Sequence, residues 1–135
     1  MKKTCTLLLL LAVAFAQAAD EWTSYYADNS VQIFYRYADC HDDANGIHQQ
    51  KVLFRFVNLS AAKVELSFAK ELTYTNTAAN AGDKVFKISL APNQTAEGDC
   101  QTKDKALFAF SKFLNRQAQQ LTKFELKNIS VTVTE

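Results

Sequence analysis

The densest run of residues able to do chemistry is Asp39-Cys40-His41-Asp42-Asp43-Ala44-Asn45-Gly46-Ile47-His48, which holds both histidines of the chain. Carboxylate and amide oxygens at short spacing ahead of a glycine are the donors a hard cation takes. Asp39, His41, Asp42, Asp43 and Asn45 are therefore the metal-ligand candidates, and calcium is the ion their oxygens suit. The full calcium-loop pattern is not met: His41 stands where the first Asp belongs, and Val52 where the closing bidentate Glu belongs. A transition-metal reading rests on His41 and His48 alone, with no metal-site motif around them. The competing reading needs no cofactor. It is a solvated 39–48 loop that turns at Asn45-Gly46 and is anchored at Cys40.

A second group is aromatic. Trp22, Tyr25 and Tyr26 lie close together near the N-terminus, with Tyr35, Tyr37 and Tyr74 further along. Exposed rings stack on sugar faces and dominate interface hot spots, which makes Trp22, Tyr25 and Tyr26 a candidate ligand surface. Aromatics are also favoured strand residues and core fillers, so packing is the competing use. Catalytic constellations are absent. There is no Gly-x-Ser-x-Gly elbow, and Asp42-Asp43 are adjacent, so on an extended chain their carboxylates point apart. The three glycines, Gly46, Gly82 and Gly98, cannot form a phosphate-cradling loop. The expectation is a non-catalytic protein.

Cysteine usage depends on the first residues. Lys2 and Lys3 precede an uncharged run from Leu7 to Phe15, and Ala16-Gln17-Ala18 has the small-x-small pattern of a signal-peptidase site. Nine apolar residues at about 1.5 Å each fall short of a hydrocarbon core of roughly 30 Å. Segment 1–18 thus reads as a cleaved signal peptide, with 19–135 a single secreted or periplasmic domain that keeps no integral membrane segment. No cysteine stands at the end of the run, so lipid attachment is not indicated. Cleavage leaves 117 of the 135 residues and 13 of the 15 basic residues against 14 acidic ones, a net charge of −1. That balance lacks the basic patch of a nucleic-acid binder. It also removes Cys5. The remaining pair, Cys40 and Cys100, reads as a disulfide in an oxidising compartment; the alternative, a reactive Cys40 beside His41, needs a thiolate and reducing surroundings.

The elements that must position these groups are strands. Val52, Phe54 and Phe56 alternate with Leu53, Arg55 and Val57; Val64, Leu66 and Phe68 alternate with Lys63, Glu65 and Ser67; Phe86, Ile88 and Leu90 alternate with Lys87 and Ser89. That period of two marks half-buried strands. The short Asn58–Ala62 link predicts a hairpin, and Ala91-Pro92-Asn93-Gln94 a turn followed by a short return strand over 95–100. Val31, Ile33, Tyr35 and Tyr37 form another stripe whose opposite face is also partly apolar. Near the C-terminus Phe124 and Leu126 share one parity, and Ile129, Val131 and Val133 the other. A β-bulge near Lys127-Asn128 would keep all five inward; a strand that changes sheets is the alternative. Segment 104–120 fits two patterns. Leu107, Phe110, Leu114, Ala118 and Leu121 make a helical stripe that Asp104 or Thr102 could cap. Leu107 to Phe110 also fit a strand buried on both faces, and a strand over 106–113 is the preferred reading. Three sequons, at Asn58, Asn93 and Asn128, would matter in a eukaryotic secretory route. The short signal region points instead to a bacterial source.

The run from Lys51 to Phe68, with Phe56-Val57-Asn58-Leu59-Ser60 between two alternating strands, resembles the B–C hairpin of bacterial immunoglobulin-like sandwich domains. Ile88-Ser89-Leu90-Ala91-Pro92-Asn93-Gln94-Thr95 is similar to the Leu-x-Pro-Gly-x-Ser/Thr turn of those domains, with Asn93 in place of Gly. The resemblance covers about half of the mature chain. It implies an all-β, antiparallel, immunoglobulin-like sandwich of about seven strands and no activity, because the fold hosts many unrelated functions. The function expected is an exported binding or interaction module for a protein or glycan partner, working through Trp22, Tyr25 and Tyr26 or through the 39–48 loop. The alternatives are a structural or accessory component of the cell envelope without a small ligand, and a protein that binds calcium or another metal at 39–48.

Overall fold

The computed structural model describes residues 21–75 and 80–134; the signal peptide expected over 1–18 lies outside them. Eight strands are present among the described residues: β1 (Thr23–Ala27), β2 (Val31–Asp42), β3 (Ile47–Asn58), β4 (Lys63–Tyr74), β5 (Asn80–Leu90), β6 (Thr95–Glu97), β7 (Phe108–Phe113) and β8 (Leu121–Thr134). They form two antiparallel sheets. One has the order β1-β2-β3, with β6 and β7 sharing the far edge of β3; the other has the order β5-β4-β8.

The stripes face each other as their period requires. Val31 and Ile33 of β2, with Val52, Phe54 and Phe56 of β3, pack against Val64, Leu66 and Phe68 of β4, Ile88 and Leu90 of β5, and Leu126 of β8. Rings fill the interlayer space. Phe56 stacks on Phe68 with centroids 5.4 Å apart, Phe68 on Phe86 at 5.8 Å, and Phe124 meets Phe54 edge-on at 5.7 Å. The result is an all-β, two-layer sandwich.

The predicted Asn58–Ala62 hairpin is instead a crossover between the sheets, and the predicted 91–94 turn leads to a strand in the other sheet. Asn58–Ala62 carries the chain from β3 in one sheet to β4 in the other, and Ala91–Gln94 carries it from β5 back to β6, which pairs with β3 over Arg55–Val57. The reason is burial. Two fully apolar stripes joined by a short link cover each other when they lie face to face, whereas a hairpin sets them side by side with both faces still to be covered. The return strand also ends earlier than expected, at Glu97. The amide of Gly98 continues the edge by donating to the Phe54 carbonyl at 2.9 Å. A side chain there would collide with the Leu107 carbonyl, so the close approach requires glycine.

The Ala91–Gln94 turn holds as predicted. Gln94 N–H donates to the Ala91 carbonyl at 3.0 Å, and Asn93 takes the left-handed conformation at φ 58° behind Pro92. Asparagine tolerates that region where most residues do not. Asn93→Gly should leave the denaturation midpoint nearly unchanged, whereas Asn93→Val should lower stability by about 1–2 kcal/mol in urea titrations.

The predicted bulge in β8 is also present. Ser67 pairs with Ser130 and Ala69 with Lys127, so β8 carries one extra residue there, and Asn128 has φ 55°. Phe124, Leu126, Ile129 and Val131 consequently pack on the core. Val133 does not: it lies at the strand end and is 44% exposed. Segment 104–120 holds a strand over 108–113, shorter than the expected 106–113, and no α-helix; residues 114–120 are irregular. A single 3-10 turn, Lys105–Leu107, is capped by Asp104, whose carboxylate accepts from Ala106 N at 3.0 Å, and β7 follows at once. The helical stripe loses because the edge of β3 from Gln49 to Leu53 pairs with Phe113 to Phe108.

Candidate functional site

The 39–48 segment is not a loop. β2 and β3 pair in unbroken register from Val31↔Asn58 to Asp42↔Ile47, so Asp39, Cys40, His41 and Asp42 lie on one strand and Ile47 and His48 on the next. Only Asp43–Gly46 form the tip, closed by Asn45 N–H to Asp42 O and Gly46 N–H to Asp43 O, both 3.3 Å, with Gly46 at φ 64°. Extending the ladder satisfies backbone groups that a loop of that length would leave to water. The same ladder sets side chains alternately on the two faces, which separates the candidate donors.

Those donors are engaged separately. Asp39 accepts from the Gln50 amide at 3.2 Å; Asp42 accepts from the Asn45 side chain at 2.9 Å and from Asn45 N–H at 3.3 Å; Asp43 is 91% exposed and 3.8 Å from His48 Nε2. His41 and His48 are cross-strand partners with their Nδ1 atoms 2.8 Å apart. Among the described residues no three His, Cys, Asp or Glu side chains gather as a metal-binding group.

Cys40 and Cys100 are disulfide-bonded. The bridge ties the hairpin arm to the segment that leads from β6 to the 3-10 turn. Lys51 reinforces it, donating to the Cys100 carbonyl at 3.2 Å while its ammonium lies 4.7 Å from the Phe108 ring centre. Between the arm and this segment is a hollow of about 650 Å³, walled by the bridge with Asp42, Asp43, Lys51 and Lys103.

The three N-terminal aromatics do not form one exposed surface. Tyr25 is the extra residue of an irregularity in the β1–β2 pairing between Ser24 and Tyr26, and Tyr25 and Tyr26 both pack against the core. Tyr25 stacks on Phe124 at 6.0 Å, and its hydroxyl accepts from Leu126 N–H at 2.8 Å. The Tyr26 hydroxyl donates to Asp28 at 2.8 Å, and that bond to a carboxylate holds its pKa above the ordinary range. Trp22 is held apart from them by two guanidinium groups, Arg36 at 5.0 Å and Arg55 at 4.8 Å from its ring centre. Arg55 is itself ion-paired with Glu97 at 2.8 Å.

A second hollow, about 290 Å³, opens between β4 and β5 on one side and the 3-10 turn and β7 on the other; Lys70, Lys84 and Lys105 line it. None of these lysines stands out by motif. The signal in the sequence is the position of Lys70, which interrupts the stripe Val64, Leu66, Phe68, Leu72, Tyr74.

No family model matches the chain, and neither curated proteins nor solved structures give a significant match to it. The geometry therefore carries the functional argument.

Proposed function

We propose that the chain is an exported, non-catalytic, immunoglobulin-like binding module that engages a protein partner at the disulfide-braced hairpin arm. The observation that carries the reading is the hollow beside the Cys40–Cys100 bridge, where carboxylates from the arm face lysines from β3 and the 100–103 segment. Polar walls of mixed charge suit a polar protein surface, and the bridge holds the arm in place before the partner arrives, which lowers the ordering cost of binding. A protein is favoured over a glycan because no Trp, Tyr or Phe lines the hollow and Tyr25 and Tyr26 pack inward.

The strand order supports the immunoglobulin-like reading. β2, β3 and the β6–β7 pair correspond in order to strands A, B and E, and β5, β4 and β8 to C′, C and F, with the chain crossing sheets between the second and third of them. Export is supported by the disulfide, a bond that persists in oxidising compartments. No helix among the described residues is long and apolar enough to cross a membrane.

A photoreactive phenylalanine analogue placed at Ala44 on the exposed tip should yield a discrete protein adduct in the cell envelope. That adduct should disappear with Asp42→Lys and Asp43→Lys. The same group at Thr122, exposed on β8, should give none. Equal labelling at both positions, no adduct at Ala44, or capture by a glycan array without a protein adduct would each overturn the reading.

A further inference from the structure

Residues 64, 66, 68, 70, 72 and 74 of β4 share one side of the strand, and the first three are wholly buried. Lys70 therefore sits on the core-facing side of its sheet, opposite the buried Leu126 of β8. Charged side chains that point inward are a known protection for edge strands, but β4 is the central strand of its sheet, paired on both sides. Another use has to be found for this ammonium.

Its surroundings are specific. Lys70 Nζ donates to the carbonyl of Lys105 and, at 2.9 Å, to that of Phe108, and it lies 4.2 Å from the centre of the Phe86 ring. An ammonium group has three protons, so one remains beyond the two given to these carbonyls. Lys84 reaches the same ring at 5.2 Å. It is brought there by an irregularity in which β5 takes two more residues than β4 to pass Lys70, from Ala69↔Val85 to Glu71↔Ala81. Bulges of this kind re-aim side chains. Lys105 completes the rim from the 3-10 turn, and Asp104 beside it is engaged in capping that turn. Among the described residues Lys70 forms no ion pair.

The rest of the groove is apolar. Leu72, Phe86 and Phe108 line it, together with the stacked rings of Tyr74 and Phe110, 6.3 Å apart. Its volume lies at the lower bound of the range for small-molecule pockets. Three ammonium groups over an apolar trough complement a ligand that is anionic at one end and hydrocarbon at the other.

We propose that this groove binds a medium-chain carboxylate, its anionic end held by Lys70, Lys84 and Lys105 and its alkyl chain lying against Leu72, Phe86 and Phe108. The site is separate from the hairpin arm and stands or falls independently of the partner proposed there. Burial, followed by the charge of Lys84, brings Lys70 down to about 8. Lys84, Lys105 and Asp104 are the other charged groups around it, and burial raises the Tyr74 hydroxyl above its ordinary value. Affinity for an anion accordingly falls as pH rises through the titration of Lys70.

Octanoate titrated into the purified chain, followed by amide chemical shifts, should saturate below about 1 mM and perturb Phe86, Phe108 and Phe110. Affinity should drop roughly tenfold between pH 7 and pH 9.5. Lys70→Met, which keeps the buried methylenes, should weaken octanoate at least about tenfold but leave octanol unchanged, since only the ion pair is lost. Lys84→Gln at the exposed rim should cost about three- to fivefold and decides the matter if Lys70→Met fails to fold. Inorganic phosphate should not bind at these concentrations. The proposal is overturned if octanol binds as well as octanoate, if affinity is independent of pH, if both lysine variants bind normally, or if no saturation is reached.

Discussion

Asn58→Asp should lose at least about 4 kcal/mol of stability, a large part of the roughly 5–15 kcal/mol available to a domain of this size. Asn58 ends β3 and is 1% exposed. Its side-chain nitrogen donates to three carbonyls: Ala62 at 2.8 Å, Ala91 at 2.9 Å and Leu90 at 3.3 Å. Its oxygen accepts from Ser60 N–H and Ser60 Oγ, both at 2.9 Å. The residue thus ties the β3–β4 crossover to the turn that starts the β5–β6 crossover. Backbone bonds from Asn58 N–H to Gln94 O and from Asn93 N–H to Ser60 O run beside it.

Aspartate has the same shape but puts an acceptor where three carbonyls need a donor, and buries a charge as well. Burial and the facing carbonyls raise the folded-state pKa of the new carboxyl above its unfolded value. The folded variant then binds more protons than the unfolded chain, so its stability is partly restored as pH falls from 7 towards 4. Urea titrations at pH 7 and pH 4.5 test both points. A variant as stable as the parent at pH 7, or one that gains nothing on acidification relative to the parent, would show that Asn58 does not hold the crossovers. The same burial places the Asn58 sequon out of reach of any modifying enzyme in the folded state, in contrast to the exposed Asn93 and Asn128.

Cys40→Ala with Cys100→Ala should lose about 4 kcal/mol in the chain-entropy model, because the bridge closes residues 60 apart in sequence. The corresponding fall in melting temperature is on the order of 15 °C. The loop it closes contains β3, β4, β5 and β6, so the unfolded chain gains freedom over nearly half its length when the bridge is removed. The folded state loosens locally too. The 98–107 segment covers the outer face of β3, where Leu53 is wholly buried and Lys51 nearly so. Hydrogen exchange in the double variant should therefore quicken first at residues 98–107 and in the arm, while the β4–β8 ladder stays protected. Uniform acceleration across both sheets would assign the bridge a global role and not a bracing one.

Much of the fold was legible because a strand writes its buried face into every second residue. The stripes at Val52–Phe56, Val64–Phe68 and Phe86–Leu90 are the observed core, and the parity switch between Leu126 and Ile129 located the β8 bulge. The Pro92-Asn93 turn was legible from backbone chemistry, and the disulfide from a count of two cysteines. What alternation cannot say is which strand lies next to which. Ladder hydrogen bonds join backbones that are alike at every position, so the same pattern serves a hairpin and a crossover equally. That is why Asn58–Ala62 and Ala91–Gln94 read as links within one sheet.

The candidate sites divide in the same way. The sequence alone determined an all-β chain, its inward residues and the cysteine pair. The tertiary structure decided that Tyr25 and Tyr26 turn inward, that the acidic run is a hairpin arm with its donors spread along two strands and a tip, and that Lys70, Lys84 and Lys105 from three separate segments meet over one apolar groove. Side-chain parity is local and is read from neighbours two residues apart. A site is made by segments far apart in the chain, and only the packing of one sheet on the other brings them together.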